Sequence, residues 1–91
     1  MSDLTRIPQL IRGVRMREDP ARGGWVLLAP ERVFKLDEIG REILSRVDGE
    51  RSLETIVASL AAAFEAEPER IAADVVAFLD GLAERQVLAF R

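Results

Sequence analysis

The chain has 91 residues, of which about half are apolar, and a net charge of −3. This length suits one small globular domain with a single modest core, so residues 1–91 are expected to form one domain whose residues 1–7 are flexible. The absence of histidine and cysteine excludes disulfides, thiol chemistry, the usual zinc and iron–sulfur ligands and the commonest general base.

Three strands are predicted in the first part of the chain. Residues 9–16 mix polar and apolar side chains in the alternation of a half-exposed strand, and a connection rich in proline and glycine follows at 18–24. Residues 25–28 predict a second strand, 29–32 a tight turn and 33–36 a third strand. Short connections favour an antiparallel sheet, and an edge of such a sheet that stays uncovered is either protected or used.

Three helices are predicted in the second part. Asp37 suits the N-cap of the first helix, which is expected to end at residues 48–49, and Ser52 suits the N-cap of the second. Pro68 fits the first turn of the third helix, and residues 87–90 form a short extended tail. The pattern therefore predicts an α+β fold, with a small three-stranded antiparallel sheet at the N-terminus followed by a three-helix bundle.

Charge and side-chain chemistry narrow the function. Residues 1–36 carry seven basic and four acidic side chains, whereas residues 37–91 carry six basic and twelve acidic ones. Neighbouring carboxylates fall at predicted helix ends, where capping explains them, so neither an enzyme nor a metal site is expected. A DNA-binding winged helix is an alternative, but the absence of Lys and Arg from 52–67 disfavours phosphate binding. An adaptor that only joins two enzymes is a third possibility.

A groove is predicted along the third helix. At about 100° per residue, one row beside the apolar stripe contains Asp74, Ala77, Gly81 and Arg85, with Phe78 between them. The small residues in this row either leave a shallow groove or permit close packing by another element. Because glycine costs a helix roughly 1 kcal/mol relative to alanine, Gly81 is expected to have one of these two reasons.

Motifs along nearly the whole chain point to one family. They are Pro8-x-Leu10 with Gly13-Val14-Arg15-Met16, Asp19-x-x-Arg22-Gly23, Val26-Leu27-Leu28-Ala29-Pro30-Glu31, Leu36-Asp37-x-x-Gly40-x-x-Ile43-Leu44, Asp48-Gly49, and Asp74-Val75-x-x-Phe78-Leu79-x-x-Leu82. Over about residues 7–90 the chain resembles the pyrroloquinoline quinone (PQQ) biosynthesis protein D family of precursor-peptide chaperones. It departs from that pattern at Asp37, where asparagine is commoner, and at Gly40, where alanine is commoner.

The resemblance implies a winged-helix-like peptide-recognition domain that is not an enzyme and holds no cofactor. Its implied partners are the precursor peptide of PQQ, added as a strand to the third strand against the third helix, and the radical S-adenosylmethionine enzyme that receives this peptide. Nucleic acid and membrane are not expected as partners. The peptide-binding residues implied are Arg32, Val33, Phe34, Lys35, Leu36, Asp74, Ala77, Phe78, Gly81, Leu82 and Arg85.

Physical roles can be assigned to these residues. Backbone groups of residues 33–36 would set register and affinity, and Phe78 and Leu82 would line a pocket for alternate peptide side chains. Arg32 or Lys35 would attract peptide carboxylates. A soluble, cytoplasmic protein is expected, because residues 1–10 resemble no signal peptide and no run of about eighteen apolar residues occurs. The chain is expected to be a monomer or a homodimer formed through an open strand edge or a swap.

Overall fold

The structure, a computed structural model, describes residues 4–91. The elements follow in the order β1 (Pro8–Leu10), β2 (Arg15–Glu18), β3 (Trp25–Ala29), β4 (Arg32–Leu36), α1 (Glu38–Leu44), α2 (Leu53–Phe64), α3 (Pro68–Glu84) and β5 (Leu88–Phe90). The predicted α+β class, with one three-stranded antiparallel sheet and three helices, is confirmed.

The three-stranded sheet has the order β2-β3-β4, and its central strand supplies the buried face. Leu27 of β3 is fully buried and lies opposite Met16 on one side and Phe34 on the other. The β3–β4 turn has proline at its first central position and Glu31 at its second, with φ 61°. A type II turn requires a positive φ at this second position. Because Ala29 pairs with Arg32, only two residues connect the strands.

The predicted first strand, residues 9–16, is wrong as a single element. Gly13 adopts φ 88°, and the N–H of Val14 donates to the carbonyl of Ile11 at 2.9 Å, so a turn divides the segment into β1 and β2. Strand β1 is not part of the three-stranded sheet and pairs antiparallel with β5. The predicted extended tail, residues 87–90, is confirmed as β5, although its pairing with β1 was not predicted.

The N-terminal segment also contacts the start of α2. The N–H groups of Leu53 and Glu54 donate to the carbonyls of Arg6 and Leu4, each at 2.9 Å, which satisfies two of the donors that a helix start leaves open. The flexibility of residues 1–7 stays a prediction: residues 1–3 lie outside the described part, and residues 4 and 6 make these backbone bonds.

Side-chain caps place the helices where the sequence predicts them. Asp37 accepts from the N–H of Gly40 at 2.7 Å, and Ser52 accepts from the N–H of Thr55 at 3.2 Å. Helix α1 is shorter than predicted, because the bonds after Leu44 change to the i→i+3 type that tightens a last turn. The N–H groups of Arg51 and Glu50 then donate to Asp48, which lowers the pKa of this carboxyl.

The core lies between β3 and the helices. Strand β3 and each of the three helices contribute a side chain that is at most 2% exposed: Leu27 from β3, Ile43 from α1, Ile56 from α2 and Leu79 from α3. Helix α3 packs on both α2 and β5. Another side of α3 lies beside β4. Within residues 4–91, no helix is long and apolar enough to cross a membrane.

Candidate binding groove

A groove of about 460 Å³ lies between β4 and α3. Its lining residues are Val33, Phe34, Lys35 and Leu36 from β4, with Ala77, Phe78, Gly81, Leu82 and Arg85 from α3 and its C-cap. The structure thus brings together nine of the residues predicted for peptide binding. We call this region the β4–α3 groove.

The outer edge of β4 forms one side of the groove and has open backbone groups. The two-residue turn makes Ala29 and Arg32 the first hydrogen-bonded pair with β3, and such pairs alternate along an antiparallel ladder. Val33 and Lys35 therefore direct their N–H and C=O groups away from β3. The side chain of Val33 is 64% exposed, so nothing in the described chain covers this edge there.

The wall on α3 combines one aromatic ring with small residues. A Cβ placed on Gly40 would lie 3.1 Å from ring atoms of Phe78, so the ring rests directly on the backbone of α1. A Cβ on Gly81 would meet only the Nη1 of Arg85, at 3.4 Å. The absence of a side chain at residue 81 therefore leaves open space between α3 and β4.

Two arginines lie at the end of the groove where β4 begins. Arg32 donates to the carbonyl of Arg85 at 2.9 Å, and its guanidinium lies 5.4 Å from the centre of the Phe34 ring. Arg85 in turn donates to the carbonyl of Gly81 at 3.0 Å. Arg32 thus joins β4 to the end of α3. Lys35 is exposed, and no ion pair involves it within residues 4–91.

Asp74 lies outside the β4–α3 groove. It contributes instead to a neighbouring pocket between the three helices, together with residues such as Ile39, Phe64 and Ile71. Helical projection placed Asp74 in one row of α3 with Ala77 and Gly81, but it does not show how far β4 extends along that helix. Its predicted role in peptide binding stays a prediction.

Sequence reasoning missed the contribution of α1 to this region. Gly40 supports Phe78, and Ile39 is 53% exposed although its spacing suits the apolar face of α1. A glycine in the first turn of a helix was the available signal, because it weakens the helix unless close packing requires it.

Among residues 4–91, no group of three or more acidic side chains could hold a metal ion. The contacts that the groove offers are backbone groups of β4 and apolar side chains.

Comparison with known proteins gives consistent matches. The family model for coenzyme PQQ synthesis protein D (PqqD) matches residues 24–88. A "PqqA binding protein" of Xanthomonas axonopodis pv. citri (strain 306) is 48% identical over 90 residues, which cover 97% of this chain and 98% of the relative. This is well above the level at which relatives share a family.

Two solved structures share the fold. The solution NMR structure of the PqqD truncation of Methylobacterium extorquens PqqCD has a TM-score of 0.80 and 43% identity, and covers 91% of this chain and 88% of that one. It is described as a functional, stand-alone recognition element for ribosomally synthesised and post-translationally modified peptides. The crystal structure of PqqD from Xanthomonas campestris has a TM-score of 0.59 and 44% identity, with 85% and 86% of the chains covered.

Proposed function

The chain belongs to the coenzyme PQQ synthesis protein D (PqqD) family, and we propose from this premise that it is a peptide chaperone that binds the precursor peptide PqqA. The peptide is added as an extra strand to the outer edge of β4 and lies against α3. The chain contributes no chemistry to the peptide. Its function in PQQ biosynthesis is to hold the substrate of another protein.

The observation that carries this proposal is the open backbone of Val33 and Lys35 beside a groove of about 460 Å³. Strand addition uses main-chain hydrogen bonds for affinity, while pockets for every second side chain supply selectivity. Phe78 and Leu82 are the apolar side chains of α3 available to such alternate residues. The recognition element from M. extorquens has the same fold, which supports the proposal.

The bound peptide is presented to the radical S-adenosylmethionine enzyme of the pathway. Holding the peptide raises its effective concentration at the enzyme, so the chain accelerates the modification without a catalytic residue of its own. For both partners to be held together, the enzyme contacts a surface away from β4. This step rests on the family resemblance, and cytoplasmic localisation is proposed on the same basis.

The charge pattern does not favour the DNA-binding alternative. Helix α2 contains no basic residue, and α3 contains only Arg70 against three acidic residues from 74 to 84. A reading helix needs several positive contacts to phosphate. The adaptor alternative requires no peptide binding, so a peptide titration separates it from the chaperone.

The test is a titration of the isotopically labelled protein with synthetic PqqA, observed through backbone amide NMR. We expect shifts concentrated at residues 33–36 and along 77–85, with the amide of Val33 newly protected from solvent exchange. A peptide of the same composition in scrambled order is the control. Absence of binding, both with and without the radical enzyme, would overturn the proposal.

A further inference from the structure

A second pocket lies where the β4–α3 groove ends. Helices α1, α2 and α3 line a pocket of about 210 Å³ there, and Ile39, Phe64 and Ile71 are among its lining residues. Ile39 and Phe64 are 53% and 46% exposed, although both are large apolar residues. An apolar cavity of roughly 150 Å³ admits a benzene ring, so this pocket has room for one large apolar side chain.

The pocket adjoins the β4–α3 groove, because Ile39 lines the pocket and its neighbour Gly40 packs against Phe78 of the groove. Asp74 lines the pocket and Phe78, one turn later on α3, lines the groove. Lys35, Leu36, Asp37 and Phe78 form a further depression at the end of β4, on the side from which the chain continues to Ile39. A peptide strand that follows β4 past Leu36 is therefore directed towards Ile39, at the start of α1.

The charges at the pocket are not all compensated. Glu42 forms ion pairs with Arg46 at 3.0 Å and with Arg41 at 3.5 Å. Asp74 lines the same pocket, is exposed and forms no ion pair with any residue from 4 to 91. The uncompensated carboxylate favours a basic group beside the apolar occupant.

We propose that this pocket is a register-setting subsite, which takes one large apolar side chain of the bound peptide while Asp74 attracts an adjacent lysine or arginine. This inference rests on the proposed function. Main-chain pairing alone specifies register weakly, because a strand can slip along an edge and keep its hydrogen bonds. A single apolar pocket beside the end of the groove removes that freedom, since only one residue of the peptide reaches it in the correct register.

The subsite is tested by a double-mutant cycle with synthetic PqqA. Each apolar residue of the peptide is replaced by alanine in turn, and each peptide is titrated into the wild-type protein, Ile39→Ala and Phe64→Ala. We expect either protein substitution to weaken wild-type PqqA by about three- to tenfold, from the loss of buried apolar area. One peptide substitution, always at the same position, should lose its effect in both variants.

The pocket carboxylate is tested by Asp74→Asn, which is expected to weaken binding about two- to threefold at low salt and to have no effect at high salt. This exposed substitution also keeps the test decisive if an apolar variant fails to fold. Ile11→Ala is the control for Ile39, because Ile11 is 39% exposed and lines neither cavity. Glu69→Gln is the control for Asp74, as another carboxylate of α3.

The outcomes separate this inference from the function on which it rests. If wild-type protein binds PqqA and the three pocket variants bind it equally well, the subsite is overturned and the chaperone function stands. If wild-type protein does not bind PqqA, the chaperone function fails first. If Ile39→Ala and Phe64→Ala change only self-association in sedimentation, the pocket serves a second copy of the chain, which also overturns the subsite.

Discussion

Within residues 4–91 the three-stranded sheet has two outer edges, and the β4–α3 groove lies beside one of them. Both β2 and β4 are unpaired on their outer sides within residues 4–91. Strand β2 contains two arginines and a glutamate, all exposed, in only four residues. Strand β4 exposes the apolar Val33 and has α3 next to it, so an added strand would find both backbone partners and an apolar wall.

This difference shows what converts an open edge into a binding site. Backbone groups are the same on every edge, so they cannot by themselves select one edge over another. Charged side chains discourage strand addition, and three of the four residues of β2 are charged and exposed. On β4, the selection comes from the helix alongside, where Gly81 and Phe78 supply space and an apolar surface.

The largest effect is expected from Val33→Pro, which removes an outward N–H of β4 without breaking a bond to β3. Proline is tolerated on an edge strand when its missing N–H would face solvent, so the protein should fold. Loss of strand hydrogen bonds and a clash of the ring with the added chain should weaken PqqA binding by about tenfold or more. Isothermal titration calorimetry measures this change.

Two controls make the comparison of the edges direct. Val33→Ala removes most of the side chain and keeps the N–H, so it should weaken binding by no more than about threefold. Glu18→Pro removes the corresponding outward N–H from β2, because Glu18 lies opposite Trp25 in a pair that the alternation leaves unbonded. If Glu18→Pro weakens binding as strongly as Val33→Pro, the peptide does not distinguish the edges as proposed.

An intermediate effect is expected at the wall of the groove, from Gly81→Ala. Helix propensity should raise the free energy of unfolding by up to about 1 kcal/mol. The new methyl group, 3.4 Å from the Nη1 of Arg85, occupies groove volume and should weaken PqqA about two- to threefold. Urea unfolding and calorimetry measure the two quantities, which should move in opposite senses.

The matched control on the same helix is Ala73→Gly. Ala73 is exposed and faces a different cavity, beside Leu4. This substitution should lower stability by about 1 kcal/mol and leave peptide binding unchanged. If Gly81→Ala raises stability with no loss of affinity, the small residue serves packing alone, which was the other reason that the sequence left open.

The sequence predicts local features better than it predicts contacts between segments that are distant along the chain. Asp37 and Ser52 cap their helices as expected because a cap depends on residues only three positions away. The pairing of β1 with β5 could not be predicted, because it joins segments about 80 residues apart and neither has a distinctive pattern.

The candidate groove could be predicted in part, because it combines local patterns with a contact between distant segments. Helical spacing placed Ala77, Phe78 and Gly81 on one side of α3, and the tight turn at 29–32 placed a strand at 33–36. The position of the Phe78 ring against α1 depends on its contact with Gly40, which no spacing rule describes. For the same reason, the spacing of Asp74 could not distinguish the groove from the pocket beyond it.

The smallest effect is expected from Lys35→Gln, which tests whether charge adds to the difference between the edges. Lys35 is the only lysine of the chain, is exposed on β4, and has no ion pair to lose within residues 4–91. An exposed attraction to peptide carboxylates contributes only about 0.2–1 kcal/mol, and from the lower end of this range affinity should fall by less than about twofold at low salt. At about 1 M salt the Debye length shrinks to roughly 3 Å, and the variant should bind like wild type. Arg15→Gln on β2 removes the same charge from the other edge and should leave affinity unchanged; an equal loss from both variants would mean that the peptide responds to the summed charge of residues 1–36 and not to the edge of β4.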